Sequence, residues 1–371
     1  MKICHYGMKQ VLDRSGGVEV VVAELASRQA ALGHDVTCYN RSGHHVSGSE
    51  HDMPKVKEWR GVHMKYVPTI PRKGLAAFTS SLFATLCCLF RRYDVIHIHA
   101  EGPAAFCGLL KFCGKRVVCT NHGLDWKRRK WTGSIGERFI RWGEKMSAKY
   151  ADELIVLSPE IQGYFKETYH RETRLIPNGV NKPVRKEPEL IREMFGLKER
   201  DYILFLSRIT VEKRVDLLIK AYKKLNTDKK LVVAGGASDS GAYLNEMKQL
   251  AGDAPEIIFT GFVRGQLLDE LYSNAYVYVL PSDIEGMPLT LLEAMSYGSC
   301  CLVSDIAECR HIIGSNGIMF RQGDEESLRE QLQKILDNEE DAKALWDKTS
   351  EYICEKYNWD RTVQETLKVY A

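Results

Sequence analysis

The 371-residue chain is 44% hydrophobic and 27% charged, an ordinary globular composition, and it is longer than one core usually serves, so two domains are expected. Its net charge of +3 conceals an asymmetry: residues 1–182 carry 28 Lys/Arg against 17 Asp/Glu, a balance of +11, whereas residues 183–371 carry 24 against 32, a balance of −8. Eleven cysteines, without a Cys-x-x-Cys pair or a partnered His spacing, argue against a structural zinc site or a disulfide scaffold and read as small buried hydrophobes in a reducing cytoplasm.

Short apolar runs alternate with helical patterns along the whole chain. Met1-Lys2-Ile3-Cys4-His5-Tyr6-Gly7 begins a strand at once, so no signal peptide is expected. In the first half strands are predicted at 2–6, 35–39, 62–66, 95–99, 116–120, 153–157 and 173–176. Ser15-Gly16-Gly17-Val18-Glu19 leads into an amphipathic helix, Val20 to Leu32, and glycines at a helix start allow an anion to approach closely; a plain turn is the alternative. The uncharged stretch Gly74 to Phe90 is short for a membrane span and rich in Ala, Ser and Thr, so it reads as a buried crossover helix. His122, in Asn121-His122-Gly123, follows a strand at its carboxyl edge. Basic residues are densest in Lys127-Arg128-Arg129-Lys130-Trp131 and continue through Arg138, Arg141, Trp142 and Lys145, interleaved with Trp as at an anionic membrane surface. No nucleic-acid motif accompanies this charge.

Pro177-Asn178-Gly179-Val180-Asn181-Lys182-Pro183 allows neither helix nor strand to continue and marks the linker. Beyond it strands are predicted at 202–207, 230–234, 257–260, 275–280 and 299–304, and this alternation means parallel sheets with right-handed crossovers in both halves. Arg208 and Lys213 follow the first of these strands, at the binding side of an open α/β sheet, where two fixed cations neutralise a diphosphate. Glu285-Gly286-Met287-Pro288-Leu289-Thr290-Leu291-Leu292-Glu293 follows the run 275–280. Pro288 suits the first turn of a helix running to about Tyr297, whose free N–H groups then face the end of the preceding strand and a bound pyrophosphate. A carboxylate there would repel phosphate, so Glu293 is better placed for ribose hydroxyls and Glu285 for the donor sugar; taken alone, both also read as ordinary surface acids.

These segments, with Pro177-Asn178-Gly179-Val180 and the strand end Thr260-Gly261-Phe262-Val263, stand in an order and spacing that resembles the retaining glycosyltransferases of the family that includes bacterial-type glycogen synthases, sucrose synthases and bacterial polysaccharide mannosyl- and glucosyltransferases. The resemblance implies the GT-B fold: a Rossmann-like domain over 1–180, a second over 181–354 that binds the nucleotide sugar, a cleft between them, and a helix within 355–371 crossing back to the first. It also implies roles. Arg208 and Lys213 would hold the diphosphate, Glu293 the ribose and Glu285 the donor sugar, with Gly286, Met287, Pro288, Leu289 and Thr290 forming the turn around it. Gly16 and Gly17 would offer N–H groups to phosphate, main chain near Val263 would hold the base, and His122 would meet the donor sugar from the other domain. Two positions depart from the family pattern, since its glycines before the Arg and after the Lys are Ser207 and Arg214 here.

Retaining transfer requires charge stabilisation on the leaving diphosphate more than a strong nucleophile, so no carboxylate pair at glycosidase spacing is expected. No Asp-x-Asp metal motif is present, and with two cations and a helix N-terminus available, no cofactor or metal is expected. The donor is expected to be a nucleoside-diphosphate sugar and the acceptor a glycan, lipid-linked in view of the basic N-terminal half, with the enzyme cytoplasmic and peripheral at the inner membrane face, making capsule or exopolysaccharide. A non-catalytic subunit of transferase-like fold and a UDP-sugar epimerase are the rival readings. A nicotinamide oxidoreductase is disfavoured by the absence of a Gly-x-Gly-x-x-Gly fingerprint after a strand.

Overall fold

The computed structural model describes residues 1–14, 16–43, 53–72, 74–237, 241–346 and 348–371. They form two compact units, one of Met1–Asn178 with Trp359–Ala371, the other of Gly179–Asn358.

In the first unit the strands are β1 (Lys2–Tyr6), β2 (Asp35–Arg41), β3 (Glu58–Trp59), β4 (Val62–Val67), β5 (Val95–His99), β6 (Val117–Asn121), β7 (Glu153–Val156) and β8 (Arg174–Leu175). They lie in the order β3-β4-β2-β1-β5-β6-β7-β8, parallel except for the β3–β4 pair. Core strands such as β5 and β6 are buried along their whole length because helices cover both faces, which is why they read as unbroken apolar runs. On one face Ile3, Val36, Val95 and Val118 pack with Val22 and Ala26 of the Gly17–Ala31 helix and with Tyr370 of the Trp359–Tyr370 helix. On the other, Cys4, Ile96, Ile98 and Cys119 pack with Ala84 and Cys88 of the Leu75–Phe90 helix and with Ala148 of the Ile135–Tyr150 helix. The helix that ends the chain is thus a core element of the first unit.

The second unit holds β9 (Tyr202–Leu206), β10 (Lys230–Ala234), β11 (Ile257–Gly261), β12 (Val277–Leu280), β13 (Cys300–Ser304) and β14 (Ile318–Phe320), all parallel, in the order β11-β10-β9-β12-β13-β14. In each sheet the strand order reverses once, between β1 and β5 and between β9 and β12. The crevice beyond the carboxyl ends of such a pair is where open α/β sheets bind ligands.

Several expectations need correction. The first helix begins at Gly17, three residues earlier than its apolar period indicates, and Pro288 takes the cap position before a helix spanning Leu289–Ser296. The Leu75–Phe90 helix buries one face only: Leu75, Phe78, Phe83 and Phe90 are exposed, the last by 88%. The stretch read as a buried crossover helix is therefore buried on its inner side alone.

Candidate active site

At the carboxyl end of β9 and β12 the second unit gathers the residues singled out above. Arg208 stands two positions beyond β9, half-buried. A tight turn, Val211–Lys213, brings Lys213 Nζ onto Glu285 Oε1, and the two side chains are 10% and 7% exposed. The loop after β12 is tied to this turn by the Asp283 N–H bonding to Glu212 O at 2.9 Å. The sequence reading gave the ammonium to phosphate and the carboxylate to sugar separately; the structure joins them in one buried ion pair, which holds both in place.

The departures from the family glycines have physical explanations. Arg214 adopts φ 52°, the left-handed conformation that glycine takes without cost, and its guanidinium bonds to Asp216 at 3.1 Å and to Asp283 at 3.2 and 3.3 Å. These charged bonds offset the roughly 1–2 kcal/mol the conformation costs. Beside Ser207 the required glycine lies just past the neighbouring strand β10: a Cβ on Gly235, at φ +142°, would sit 1.8 Å from the Ser207 carbonyl oxygen.

Pro288 O accepts from Leu291 N at 3.1 Å, so the N–H groups of Leu289 and Thr290 precede the helical ladder and point beyond the strand ends. The Tyr278 hydroxyl lies 2.9 Å from Thr290 Oγ1 and 3.2 Å from the Leu206 carbonyl, fixing that first turn against β9. One turn on, Glu293 Oε2 accepts from the Tyr272 hydroxyl at 3.0 Å. Burial, with the Glu293 charge beside it, raises the Tyr272 phenol well above its ordinary value, so it stays a donor and orients the carboxylate. Val263 is buried in the segment after β11, the edge strand of the sheet.

In the first unit, Gly16 caps the Gly17–Ala31 helix, but the turn already holds an anion. Glu19 accepts the Lys9 N–H at 2.8 Å, and its Oε2 would lie 2.2 Å from a Cβ on Gly16. Burial would raise its carboxyl, yet the Lys9 charge and N–H outweigh it and hold Glu19 below the usual carboxylate range. Glu19 thus accounts for Gly16 without a phosphate, and a phosphate brought to Gly17 would meet its charge.

His122, just beyond β6, is half-buried with Nε2 3.2 Å from His99 Nδ1. Behind it lies a row the sequence reading passed over. Among the described residues His5, His97 and His99 bring ligand atoms within 4.8 Å of one another, close enough for a metal ion. Their ring nitrogens, however, are bonded to each other, to Gln29, Tyr370 and Thr120, and to His122, so an ion would have to break bonds the fold already makes. The period-2 spacing of His97 and His99 in a buried strand was the available signal.

The basic segment is more occupied than its composition implies. Trp126 donates its Nε1–H to buried Glu144 at 2.8 Å and carries the Arg141 guanidinium 3.7 Å from a ring centre, while the Trp131 ring lies against Gly136, and Arg128 pairs with Asp125 at 2.8 Å. Two of the three Trp residues are therefore engaged inside the unit. Lys127, Arg129, Arg138, Trp142 and Lys145 remain exposed.

Residues 188–351 match the glycosyl transferases group 1 family and residues 15–182 match glycosyltransferase family 4. Both halves of the chain thus match glycosyltransferase models, and the fold is GT-B. It is 26% identical to an uncharacterized glycosyltransferase of Methanocaldococcus jannaschii over 96% of this chain and 94% of that one. The fold matches sucrose-phosphate synthase from Thermosynechococcus elongatus with a TM-score of 0.83 at 21% identity, over 100% and 98% of the two chains. It also matches Anabaena HepE, whose structure holds UDP-glucose, with a TM-score of 0.81 at 15% identity over 99% of each chain. The site at β9 and β12 lies within the half that matches the group 1 model.

Proposed function

We propose that this glycosyltransferase is a retaining enzyme moving a sugar from a nucleoside diphosphate to a lipid-linked glycan during synthesis of a surface polysaccharide such as capsule or exopolysaccharide. The observation that carries the donor half is the set of Arg208, Lys213, Glu285 and the Leu289–Ser296 helix start at one strand-order reversal. Arg208 and the first-turn N–H groups take the diphosphate, and Lys213 shares its charge with it. As phosphate draws on Lys213, Glu285 is freed to accept from sugar hydroxyls. Glu293, already oriented by Tyr272, accepts from the ribose, main chain near Val263 meets the base, and His122 is the first unit's candidate contact to a sugar hydroxyl. Arg208 and Lys213 stabilise the charge that grows on the departing diphosphate, whose oxygen takes the acceptor proton. This supply of positive charge is the reason to expect turnover without a divalent cation.

A thermal-shift screen of UDP, GDP, ADP and dTDP sugars tests the donor reading, since a ligand bound only by the native state raises the melting temperature. No shift with any of them would remove it. With the nucleotide known, Glu293→Gln should weaken free nucleotide and donor alike by about 1.5–3 kcal/mol, the worth of a charged hydrogen bond. Glu285→Gln should weaken the donor more than the free nucleotide, and calorimetry showing the reverse would exchange the two roles.

The acceptor half rests on the first unit's outer surface. Phe78 lies 5.5 Å from Phe139 and Phe139 lies 6.1 Å from Trp142, centre to centre, joining the exposed apolar side of the Leu75–Phe90 helix to the Ile135–Tyr150 helix. There Ile135, Arg138, Trp142 and Lys145 recur at helical spacing, with Ile135 86% and Trp142 46% exposed. Apolar side chains flanked by bases fit an anionic bilayer, which would bring the enzyme to a polyprenyl-linked acceptor. At about 1 kcal/mol for each basic residue near such a surface, changing Lys127, Arg129, Arg138 and Lys145 to Glu should abolish sedimentation with anionic liposomes at low salt. Equal sedimentation of the variant, or none of the parent protein, would refute this surface.

A further inference from the structure

The histidine row sits in the core face under the Gly17–Ala31 and Trp359–Tyr370 helices. His97 and His99 are two apart on β5, and His5 is the register partner of His97 on β1. Every bond in the row traces back to one amide. Gln29 Oε1 lies 2.8 Å from His5 Nε2, and Gln29 Nε2 lies 3.3 Å from the Tyr370 hydroxyl.

An amide oxygen only accepts, so His5 carries its proton on Nε2 and offers the lone pair of Nδ1. His99 Nε2, 3.0 Å from that lone pair, must donate. His99 Nδ1 is then an acceptor, and His122 Nε2, 3.2 Å away, must donate to it. In the second branch Tyr370 accepts from the amide N–H and gives its own proton to His97 Nδ1 at 2.5 Å, which leaves His97 Nε2–H to donate to Thr120 Oγ1 at 2.7 Å. Neutral rings are what this logic requires. Burial supplies them, holding His5 and His122 at about 4 and His97 and His99 well below the ordinary histidine value. Reversing the Gln29 amide would reverse every proton in both branches, placing all four on Nδ1; a mixed arrangement leaves two lone pairs or two protons facing each other in the core, at the cost of an unmade buried hydrogen bond.

We propose that Gln29 sets the tautomer of His122 through this buried chain, so that His122 presents an unprotonated Nδ1 and binds a substrate hydroxyl as an acceptor, not as a donor. Gln29 is thus a positioning residue two imidazoles removed from His122. The hydroxyl contact rests on the reading of His122 given under the proposed function; the tautomer does not.

Two-bond proton–nitrogen correlation spectra of the full chain labelled with ¹⁵N-histidine, at pH 7 and assigned by single histidine substitutions, read the tautomers directly. The expected result is Nε2–H at His5, His97, His99 and His122. Gln29→Met removes the amide, and Tyr370→Phe removes the amide's second partner while leaving the His5 contact, so each should turn His122 into a mixture of tautomers. Nδ1–H at His122 in the parent protein, or an unchanged single Nε2–H form in both variants, overturns the proposal. His122→Ala should raise the KM for the donor about tenfold, the worth of one hydrogen bond. The expected spectra with an unchanged KM would keep the relay and overturn the hydroxyl contact alone.

Discussion

Arg208→Ala is expected to lower kcat by about a hundredfold or more with little change in melting temperature, because its charge acts on the leaving diphosphate and its side chain is only half-buried. Lys213→Ala should cost as much activity and, in addition, about 3–5 kcal/mol of stability, since it strands the Glu285 carboxylate in a site where both partners are nearly buried. The two effects separate. Lys213→Met combined with Glu285→Gln removes both charges together and should recover most of the lost stability while recovering none of the turnover. Denaturant melts and single-turnover rates on the three variants decide the matter. Near-normal turnover in both Arg208→Ala and Lys213→Ala would show that the diphosphate binds elsewhere.

Gly235→Ala should be the most damaging single methyl group in the second unit. The residue sits at φ +142°, which L side chains rarely adopt, and the added Cβ would overlap the Ser207 carbonyl oxygen at 1.8 Å. Backbone must move, and the backbone that moves carries Arg208. A strained conformation costs about 1–3 kcal/mol and overpacking about as much again, so a loss near 4 kcal/mol is expected, with donor affinity falling alongside. Gly252→Ala is the control: its φ is +66° and nothing lies within 4 Å of the new atom, so about 1–2 kcal/mol and unchanged donor binding are expected. Equal melting temperatures for the two variants would mean that the close approach of Gly235 to Ser207 does not constrain the loop.

Much of this architecture could be read from the chain because buried parallel strands leave a strong trace. Val95–His99 and Lys230–Ala234 have the predicted bounds, being apolar runs covered on both faces. Glu58–Trp59 and Ile318–Phe320 were not predicted: both are short edge strands, and neither has a long apolar run to give it away. Lys213 and Glu285 were legible one at a time, as charges at strand ends, while their pairing depends on a turn whose course follows from Arg214 taking a left-handed conformation. Trp126 and Glu19 show the opposite failure. Their residue types suit a surface role, and only the packing that brings Glu144 to one and Lys9 to the other reveals that each is spoken for.

Tyr370 has a consequence for how the protein is made. The second unit, Gly179–Asn358, is one continuous stretch of chain and can fold without waiting for Trp359–Ala371. The first unit cannot: it needs the Trp359–Ala371 segment from beyond the second unit, and with it the Tyr370 hydroxyl that bonds to Gln29 and the ring that closes the core over β1 and β5. The first unit is therefore built from the two ends of this stretch of chain, with the whole second unit between them. Until Trp359–Ala371 docks, the apolar seat of Tyr370 lies open, and removal of that segment would leave it open for good.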